Sequence, residues 1–244
     1  MKPKKFVRIV IDKYKKFEGV FSKHKNAEDL APKTDNISKA LYLFYVIQLD
    51  YATKSQRLYK GALILFNKNP EFYNPDYILK LSEDKLKQFL VDYLKPRYIN
   101  EATLRFKQNS KRLKAEYKNN PLLIFKKSKT AKTALKRVLE FRGFGPKIGN
   151  FFVRTMVNTF NLDYPDIENI LPPVDIHDVR IAYLMGFIKS DRMSQKNINL
   201  TKNIWSNACK KAGVSWLTFD KALWLLGSEG KPKSKEDIFH LLNI

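Results

Sequence analysis

The sequence is poor in the residues that build covalent cross-links and metal centres. It has one cysteine, Cys209, and three scattered histidines, His24, His177 and His240. A single cysteine excludes an internal disulfide and any four-cysteine zinc or iron–sulfur site. Three scattered histidines do not assemble a zinc ligand set either. We therefore expect no protein-built metal site and no cofactor, and we interpret Cys209 as a small buried hydrophobic residue.

Long apolar runs are also missing. The N-terminus is basic, but no uninterrupted apolar segment of the signal-peptide type follows it. No run approaches the roughly 20 residues that a membrane-spanning helix needs. We expect an intracellular protein, in the cytoplasm or nucleoid, that is monomeric and has no membrane partner.

Acidic residues are scarce beside basic ones. The 244 residues include 46 Lys and Arg but only 24 Asp and Glu, which gives a formal net charge of +22. A field of that sign attracts polyanions, and nucleic acid is the partner it favours. The plainer alternative is a lysine-rich surface bias of the source organism, since many lysines fall on polar helix faces such as 111–118. The hydrophobic share of 44% is enough to fill a core.

Strict alternation of polar and apolar residues is rare, whereas helical periodicity dominates, so the sequence predicts an all-α fold. The segment from Ile37 to about Leu49 is apolar nearly all round and predicts a central buried helix, with Asp35 or Asn36 as its N-cap. Other helices are predicted at 4–22, 55–68, 75–81, 83–94, 100–117, 131–141, 146–160, 177–187, 198–212, 215–227 and 235–243, with a short one near 122–125.

A glycine-rich turn lies between the predicted helices 131–141 and 146–160. Gly143 and Gly145 suit a tight turn, and Pro146 suits the first position of the next helix. The backbone N–H groups of such a turn, together with the positive end of the helix, bind phosphate. Lys147 follows directly, and a carboxylate, Asp175, comes 28 residues later. An amine together with a carboxylate indicates a catalytic function in addition to phosphate binding.

The loop after the apolar helix is polar and aromatic. It contains Gln48, Asp50, Tyr51, Lys54, Gln56 and Arg57. Such a loop either caps and connects two helices or touches DNA.

Two motifs give the chain a resemblance to the helix-hairpin-helix DNA glycosylase superfamily. Gly143-Phe144-Gly145-Pro146-Lys147 is similar to its hairpin, and the segment from Val174 to Arg180 is similar to its Val-Asp-x-His stretch. The tail, with Ile204-Trp205, Gly213 and the segment from Phe219 to Gly227, resembles the archaeal 8-oxoguanine glycosylase branch, which has no iron–sulfur cluster. The resemblance covers about 131–227.

The resemblance implies an all-α, two-lobed fold with the active-site cleft between the lobes. One lobe would be 36–165, including the hairpin 131–160, and the other would combine 1–35 with 166–244. Gly143, Gly145 and Gly149 would bind DNA phosphate.

Lys147 and Asp175 fit glycosidic chemistry. Cleavage of an N-glycosidic bond develops positive charge on the sugar, which a buried carboxylate stabilises. A neutral amine, made so by burial and by the helix end, attacks the same carbon and forms a Schiff base. The plainer alternatives are a phosphate-binding lysine and an aspartate that caps the helix beginning near Ile176.

The remaining candidates concern the base and the DNA. The resemblance places Asp220 and Trp224 in the base pocket, although Trp224 on an apolar helix also fits a core role, and Trp205 and Trp216 are assigned to packing. Gln48 would fill the gap left by a flipped base. His177 is structural or lines a DNA-facing loop, and Arg180 contacts phosphate or caps a turn.

The sequence thus predicts a metal-independent DNA glycosylase with AP lyase activity that removes 8-oxoguanine from duplex DNA. One alternative is a glycosylase for another lesion, such as an alkylated purine or an oxidised pyrimidine. The other is a non-catalytic helix-hairpin-helix DNA-binding module.

Overall fold

The computed structural model of the protein describes residues 1–22, 28–51, 53–170 and 172–244, so that His24 lies outside them. Every regular element in these ranges is helical, which confirms the predicted fold class. The α-helices are α1 Pro3–Lys15, α2 Asn36–Ile47, α3 Ser55–Lys68, α4 Pro75–Lys80, α5 Glu83–Phe89, α6 Ile99–Tyr117, α7 Leu122–Lys126, α8 Ala131–Leu139, α9 Pro146–Phe160, α10 Ile176–Leu184, α11 Gln195–Ala212, α12 Trp216–Ser228 and α13 Lys235–Leu241.

The largest differences from the predicted helices are in the first helix and in the helix predicted at 83–94. The first helix stops at Lys15 rather than at 22, because Phe17 adopts a left-handed backbone with φ 54° and the chain continues as a short 3₁₀ turn, Gly19–Phe21. The predicted helix 83–94 is α5 followed by a π-helical turn, Leu90–Leu94. Lys95, with φ 48°, ends that turn before Pro96.

The chain divides into two compact units. We call Ala27–Asn169 the central unit, and Met1–Asn26 together with Ile170–Ile244 the terminal unit. The hairpin and Lys147 belong to the central unit, and Asp175 and α12 belong to the terminal unit.

The central unit is built on α2. Asp35 caps this helix by accepting hydrogen bonds from the N–H groups of Ile37 and Ser38 at 2.9 and 3.0 Å. All residues from Ala40 to Ile47 are buried, which confirms the prediction of a central buried helix. Rings from elsewhere in the unit pack around Phe44 and Tyr45, namely Tyr73, Phe106, Phe141, Phe144 and Phe152.

The terminal unit is centred on Trp205 of α11. Its ring stacks on Phe6 of α1 at 5.7 Å between centroids and contacts Phe219 of α12 at 5.4 Å. Trp205, Trp216 and Cys209 are each 1% exposed, so the predicted packing roles of these residues are confirmed. Helix α10 packs against α12, and this contact positions Asp175. In the described part of the chain, no helix is long and apolar enough to cross a membrane.

Candidate active site

The hairpin joins α8 to α9. Gly145 is the N-cap of α9, Pro146 its first residue and Lys147 its second. Gly143 has φ +91°, a conformation that favours glycine, and a Cβ there would lie 2.7 Å from Cδ of Arg105. The glycine is therefore needed both for the turn and for the close approach of the arginine.

Two phenylalanines fix the hairpin to the core of the central unit. Phe141 and Phe144 are 2% and 3% exposed, and each ring lies 5.1 Å from that of Phe44 on α2. Such aromatic pairs contribute about 0.5–1.5 kcal/mol beyond the area they bury. These two contacts therefore anchor the hairpin to the core of the central unit.

A buried amide on α6 also holds the hairpin. Asn109 Nδ2 donates to the carbonyl of Arg142 at 2.9 Å, and the N–H of Arg142 donates to Asn109 Oδ1 at 3.0 Å. The Asn109 amide therefore forms two hydrogen bonds with the backbone of Arg142, one as donor and one as acceptor. Nδ2 also donates to Gln48 Oε1 at 2.8 Å, which joins the loop after α2 to the hairpin.

An ion-pair network surrounds this amide. Glu101 accepts hydrogen bonds from Arg142 at 2.8 and 2.9 Å and from Arg105 at 3.0 Å. The bonds from Arg142, followed by those from Arg105, lower the pKa of Glu101 to about 2. Sequence reasoning missed Glu101, Arg105 and Asn109, because they lie 33 or more residues from Arg142 and carry no local signal.

The three hairpin glycines differ in environment. In the part of the chain that the structure describes, nothing lies within 4 Å of a Cβ built on Gly145, which is exposed, so its backbone is open to a ligand. Gly149 is buried, its N–H donates to the Gly145 carbonyl at 2.7 Å, and a Cβ there would meet Leu139 at 2.8 Å. In this structure Gly149 packs between α8 and α9, and its contact with phosphate stays a prediction.

Lys147 is exposed. The burial that the sequence argument expected around its amine is absent from the structure. Lys147 lies at the positive end of α9.

Gln48 is fully buried. Its Oε1 accepts from Asn109, and its main-chain carbonyl accepts from Arg105 at 2.9 Å. In this structure the side chain supports the hairpin, and a DNA contact would require it to leave that position.

Asp175 is the N-cap of α10 and is 9% exposed. Its Oδ1 accepts from the N–H groups of His177 at 2.7 Å and Asp178 at 3.4 Å. Asp178 reciprocates, because its Oδ2 accepts from the Asp175 N–H at 2.6 Å. The capping role considered from the sequence is confirmed, and it fixes the orientation of this carboxyl group.

Helix α10 is pressed onto α12 at Gly227. A Cβ on Gly227 would lie 2.5 Å from Cβ of His177, so only glycine permits this approach. His177 Nδ1 is buried and has no hydrogen-bond partner among the described residues, which favours a packing role for this side chain. Arg180, one turn further along, is partly exposed.

Asp220 and Trp224 lie four residues apart on α12 and so share a helix face. Asp220 is 5% exposed, whereas Trp224 is partly exposed, unlike the buried Trp205 and Trp216. Burial, followed by the charges of Asp175 and Asp220, raises the pKa of Asp178 well above its ordinary value. We call Asp175, Asp178 and Asp220 the acidic cluster.

The structure thus collects the predicted residues into two groups. Gly143, Gly145, Lys147 and Gln48 lie in the central unit, and Asp175, His177, Arg180, Asp220 and Trp224 lie in the terminal unit. Among the described residues, no three His, Cys, Asp or Glu side chains are arranged to hold a metal ion.

The solved structures that are similar to most of this chain include two glycosylases. One is the Methanocaldococcus jannaschii 8-oxoguanine glycosylase/lyase in complex with a 15mer DNA containing 8-oxoguanine. Its TM-score is 0.56 and its identity 16%, covering 92% of this chain and 90% of the other. The second is the 8-oxoguanine DNA glycosylase of Thermotoga maritima, with a TM-score of 0.58 and 18% identity over 91% of this chain and 94% of the other.

No family model matches the chain, and no curated protein sequence is similar to it. The structural likeness establishes that this chain has the fold of the 8-oxoguanine DNA glycosylases, as the resemblance of its motifs predicted.

Proposed function

We propose that the protein is a DNA glycosylase with associated AP lyase activity, and that it removes 8-oxoguanine from duplex DNA. The observation that carries this proposal is the position of Lys147 at the open N-terminus of α9, directly after the hairpin, in a fold shared with 8-oxoguanine glycosylases.

The positive charge of the protein would attract DNA, and the hairpin would then bind one of its phosphates. The net charge of +22 attracts the DNA backbone. The exposed backbone at Gly145 and the positive end of α9 then offer a site for one phosphate. The contacts from Asn109, Phe141 and Phe144 hold this site in shape before DNA arrives.

Asp175 would act on the sugar. Departure of the base with the electron pair of the glycosidic bond leaves positive charge at C1′, and a carboxylate beside it stabilises the transition state. The capping hydrogen bonds fix the Asp175 side chain, so it need not reorganise during the reaction.

Lys147 would act as the nucleophile. Its neutral amine bonds to C1′, and ring opening gives an iminium with the sugar. Loss of a C2′ proton then expels the 3′ phosphate by β-elimination. Lys147 is exposed in the free protein, and bound DNA would bury its amine.

The base would enter a pocket that uses Asp220 and Trp224. A flipped base is held by stacking and by hydrogen bonds to its edge. The partial exposure of Trp224 supports stacking, and the buried carboxyl of Asp220 on the same face supports recognition of base N–H groups.

Borohydride trapping on a duplex with 8-oxoguanine opposite cytosine tests the proposal. The parent should form a covalent adduct, and Lys147→Gln should form none. Lys136→Gln, which removes an exposed lysine from the neighbouring helix α8, should trap like the parent. Asp175→Asn should bind DNA but release base at least about 100-fold more slowly.

Trapping by Lys147→Gln at the parent's level would refute the lyase mechanism. Base release from duplexes with an alkylated purine or an oxidised pyrimidine, and none with 8-oxoguanine, would reassign the substrate. DNA binding without release of a base from any duplex would indicate a non-catalytic DNA-binding module.

A further inference from the structure

The hairpin carries an exposed arginine to which the proposed function assigns no role. Arg142 directly precedes Gly143, and its side chain is 44% exposed. Gly145, whose open backbone is proposed to bind one phosphate, follows three residues later, and three residues span at most about 11 Å. A cationic side chain therefore lies close to the proposed phosphate site of the hairpin.

Glu101 of α6 fixes the orientation of the Arg142 guanidinium group. Arg142 Nε donates to Glu101 Oε1 at 2.9 Å, and Arg142 Nη2 donates to Glu101 Oε2 at 2.8 Å. The carboxylate thus meets one edge of the planar group through two parallel hydrogen bonds, a geometry that restrains a long and otherwise flexible side chain. The guanidinium group is therefore held in one orientation before any ligand binds.

The guanidinium group keeps donors for a ligand. An arginine side chain has five N–H donors. Two donors of Arg142 go to Glu101, and one on Nη1 reaches Gln108 Oε1 through a long, exposed hydrogen bond of 3.4 Å. Within the described part of the chain, the two remaining donors of Nη1 and Nη2 have no acceptor. Nη1 and Nη2 together form the edge at which a phosphate binds through two hydrogen bonds.

The positive charge of this group is only partly compensated. Glu101 is shared, because it pairs with Arg105 at 3.0 Å as well as with Arg142. Two guanidinium groups and one carboxylate leave a surplus of one positive charge. Arg105 is the more buried of the two arginines, with a side chain that is 19% exposed, and it also donates to the Gln48 carbonyl. Arg142 therefore presents the surplus charge to solvent.

Arg112, also on α6, is a compensated arginine in the same region. It pairs with two carboxylates, Glu116 at 3.1 Å and Glu140, and it donates to the main-chain carbonyl of Glu140 at 2.9 Å. Its guanidinium group lies over the Phe141 ring at 5.1 Å from the centroid. Arg112 thus has no surplus charge to offer a ligand, and it provides a matched control.

We propose that Arg142 binds a second phosphate of the DNA backbone through Nη1 and Nη2, next to the phosphate at Gly145. The hairpin then binds DNA both through its backbone and through this side chain. The proposal rests on the binding of duplex DNA that the proposed function includes, but not on the removal of a base.

Binding of an undamaged duplex, measured by fluorescence anisotropy at several salt concentrations, tests this contact. Arg142→Gln should bind about tenfold more weakly at about 0.1 M salt, and its plot of log K against log salt should be less steep by about 0.9, the value for one phosphate. The substitution should leave the hairpin folded, because Asn109 bonds to the backbone of Arg142. Arg112→Gln removes the same charge and should leave the slope unchanged.

Arg142→Lys tests the geometry of the contact. It keeps the positive charge but lacks the planar group that presents one edge to Glu101 and another to phosphate. It should therefore bind more weakly than the parent while its salt slope stays close to the parent's. Parent-like affinity and slope in Arg142→Gln, or an equal loss of slope in Arg112→Gln, would overturn the proposal. Full affinity in Arg142→Lys would overturn the two-bond geometry.

An assay of base release separates this proposal from the proposed function. If the parent releases 8-oxoguanine while Arg142→Gln binds DNA as tightly as the parent, only the Arg142 contact is refuted. If Arg142→Gln shows the shallower salt slope while the parent releases no base from any duplex, the contact is supported and only the glycosylase activity is refuted.

Discussion

The hairpin and the turn at Asp175 are held in different ways. The hairpin depends on side chains from far along the chain, since Asn109 and Glu101 lie 33 and 41 residues from Arg142. The turn at Asp175 is closed by its own capping box, in which Asp175 and Asp178 are three residues apart. Cations and an amide stabilise the first, and two carboxyl groups stabilise the second.

The difference shows where each part of the site is vulnerable. We expect changes in α6 to distort the hairpin, even though α6 carries none of the predicted catalytic residues. The turn at Asp175 depends instead on its own capping box and on the packing of α10 against α12. Substitutions in the two regions should therefore differ in their effects on stability and on activity.

The largest effect is expected from Asn109→Leu. The substitution removes the Asn109 hydrogen bonds to the N–H and carbonyl of Arg142 and to the buried side chain of Gln48, and such losses cost about 1–3 kcal/mol per buried group. We expect a decrease of about 3 kcal/mol in the free energy of unfolding, measured by urea titration, together with weaker trapping. Gln108→Leu changes the exposed neighbouring side chain, 3.4 Å from Arg142, and should cost less than about 0.5 kcal/mol. Equal losses in the two variants would show that the Asn109 amide does not hold the hairpin.

Gly227→Ala tests the other region and should have a smaller effect. The added Cβ would lie 2.5 Å from Cβ of His177, so α10 must move away from α12. Overpacking of this kind costs about 1–3 kcal/mol, and base release should fall because Asp175 moves with α10. Gly145→Ala is the matched control for stability, since nothing lies within 4 Å of its Cβ. If Gly227→Ala were as stable and as active as the parent, α10 would not need this close approach.

The local features of the molecule could be predicted from the sequence. The buried helix α2, the N-caps Asp35 and Asp175 and the packing of Trp205 and Trp216 follow from periodicity, capping residues and neighbouring apolar residues. These signals lie within a few residues of the feature they indicate. The fold class follows in the same way, because the helical periodicity is sustained and glycine, proline and polar residues separate the helices.

The features that depend on tertiary packing could not be predicted. No pattern connects Asn109 with Arg142, or shows that Gln48 turns inward to meet that amide. Gly149 looks like a third phosphate-binding glycine until Leu139 is seen against it. The exposure of Lys147 depends likewise on what lies around α9, and sequence spacing does not reveal it.

The smallest effect is expected from Glu101→Gln, which removes the ionic part of the hairpin's support and leaves the Asn109 amide. The Glu101 side chain is 31% exposed, so screening limits the loss at neutral pH to about 0.5–1 kcal/mol. Because the pKa of Glu101 is lowered to about 2 in the folded protein, its contribution is present above pH 4.5 and disappears as the pH falls from 4.5 to 2.

Urea titrations at pH 7 and at pH 2 therefore test the ionic support of the hairpin. The parent and Glu101→Gln should differ at pH 7 and converge at pH 2, because acid removes from the parent what the substitution has already removed. Glu83→Gln, which breaks an exposed pair with Lys87 on α5, should leave trapping unchanged. A difference that persists at pH 2 would mean that Glu101 supports the hairpin through packing, and the contrast between an ionically held hairpin and a capped turn would then fail.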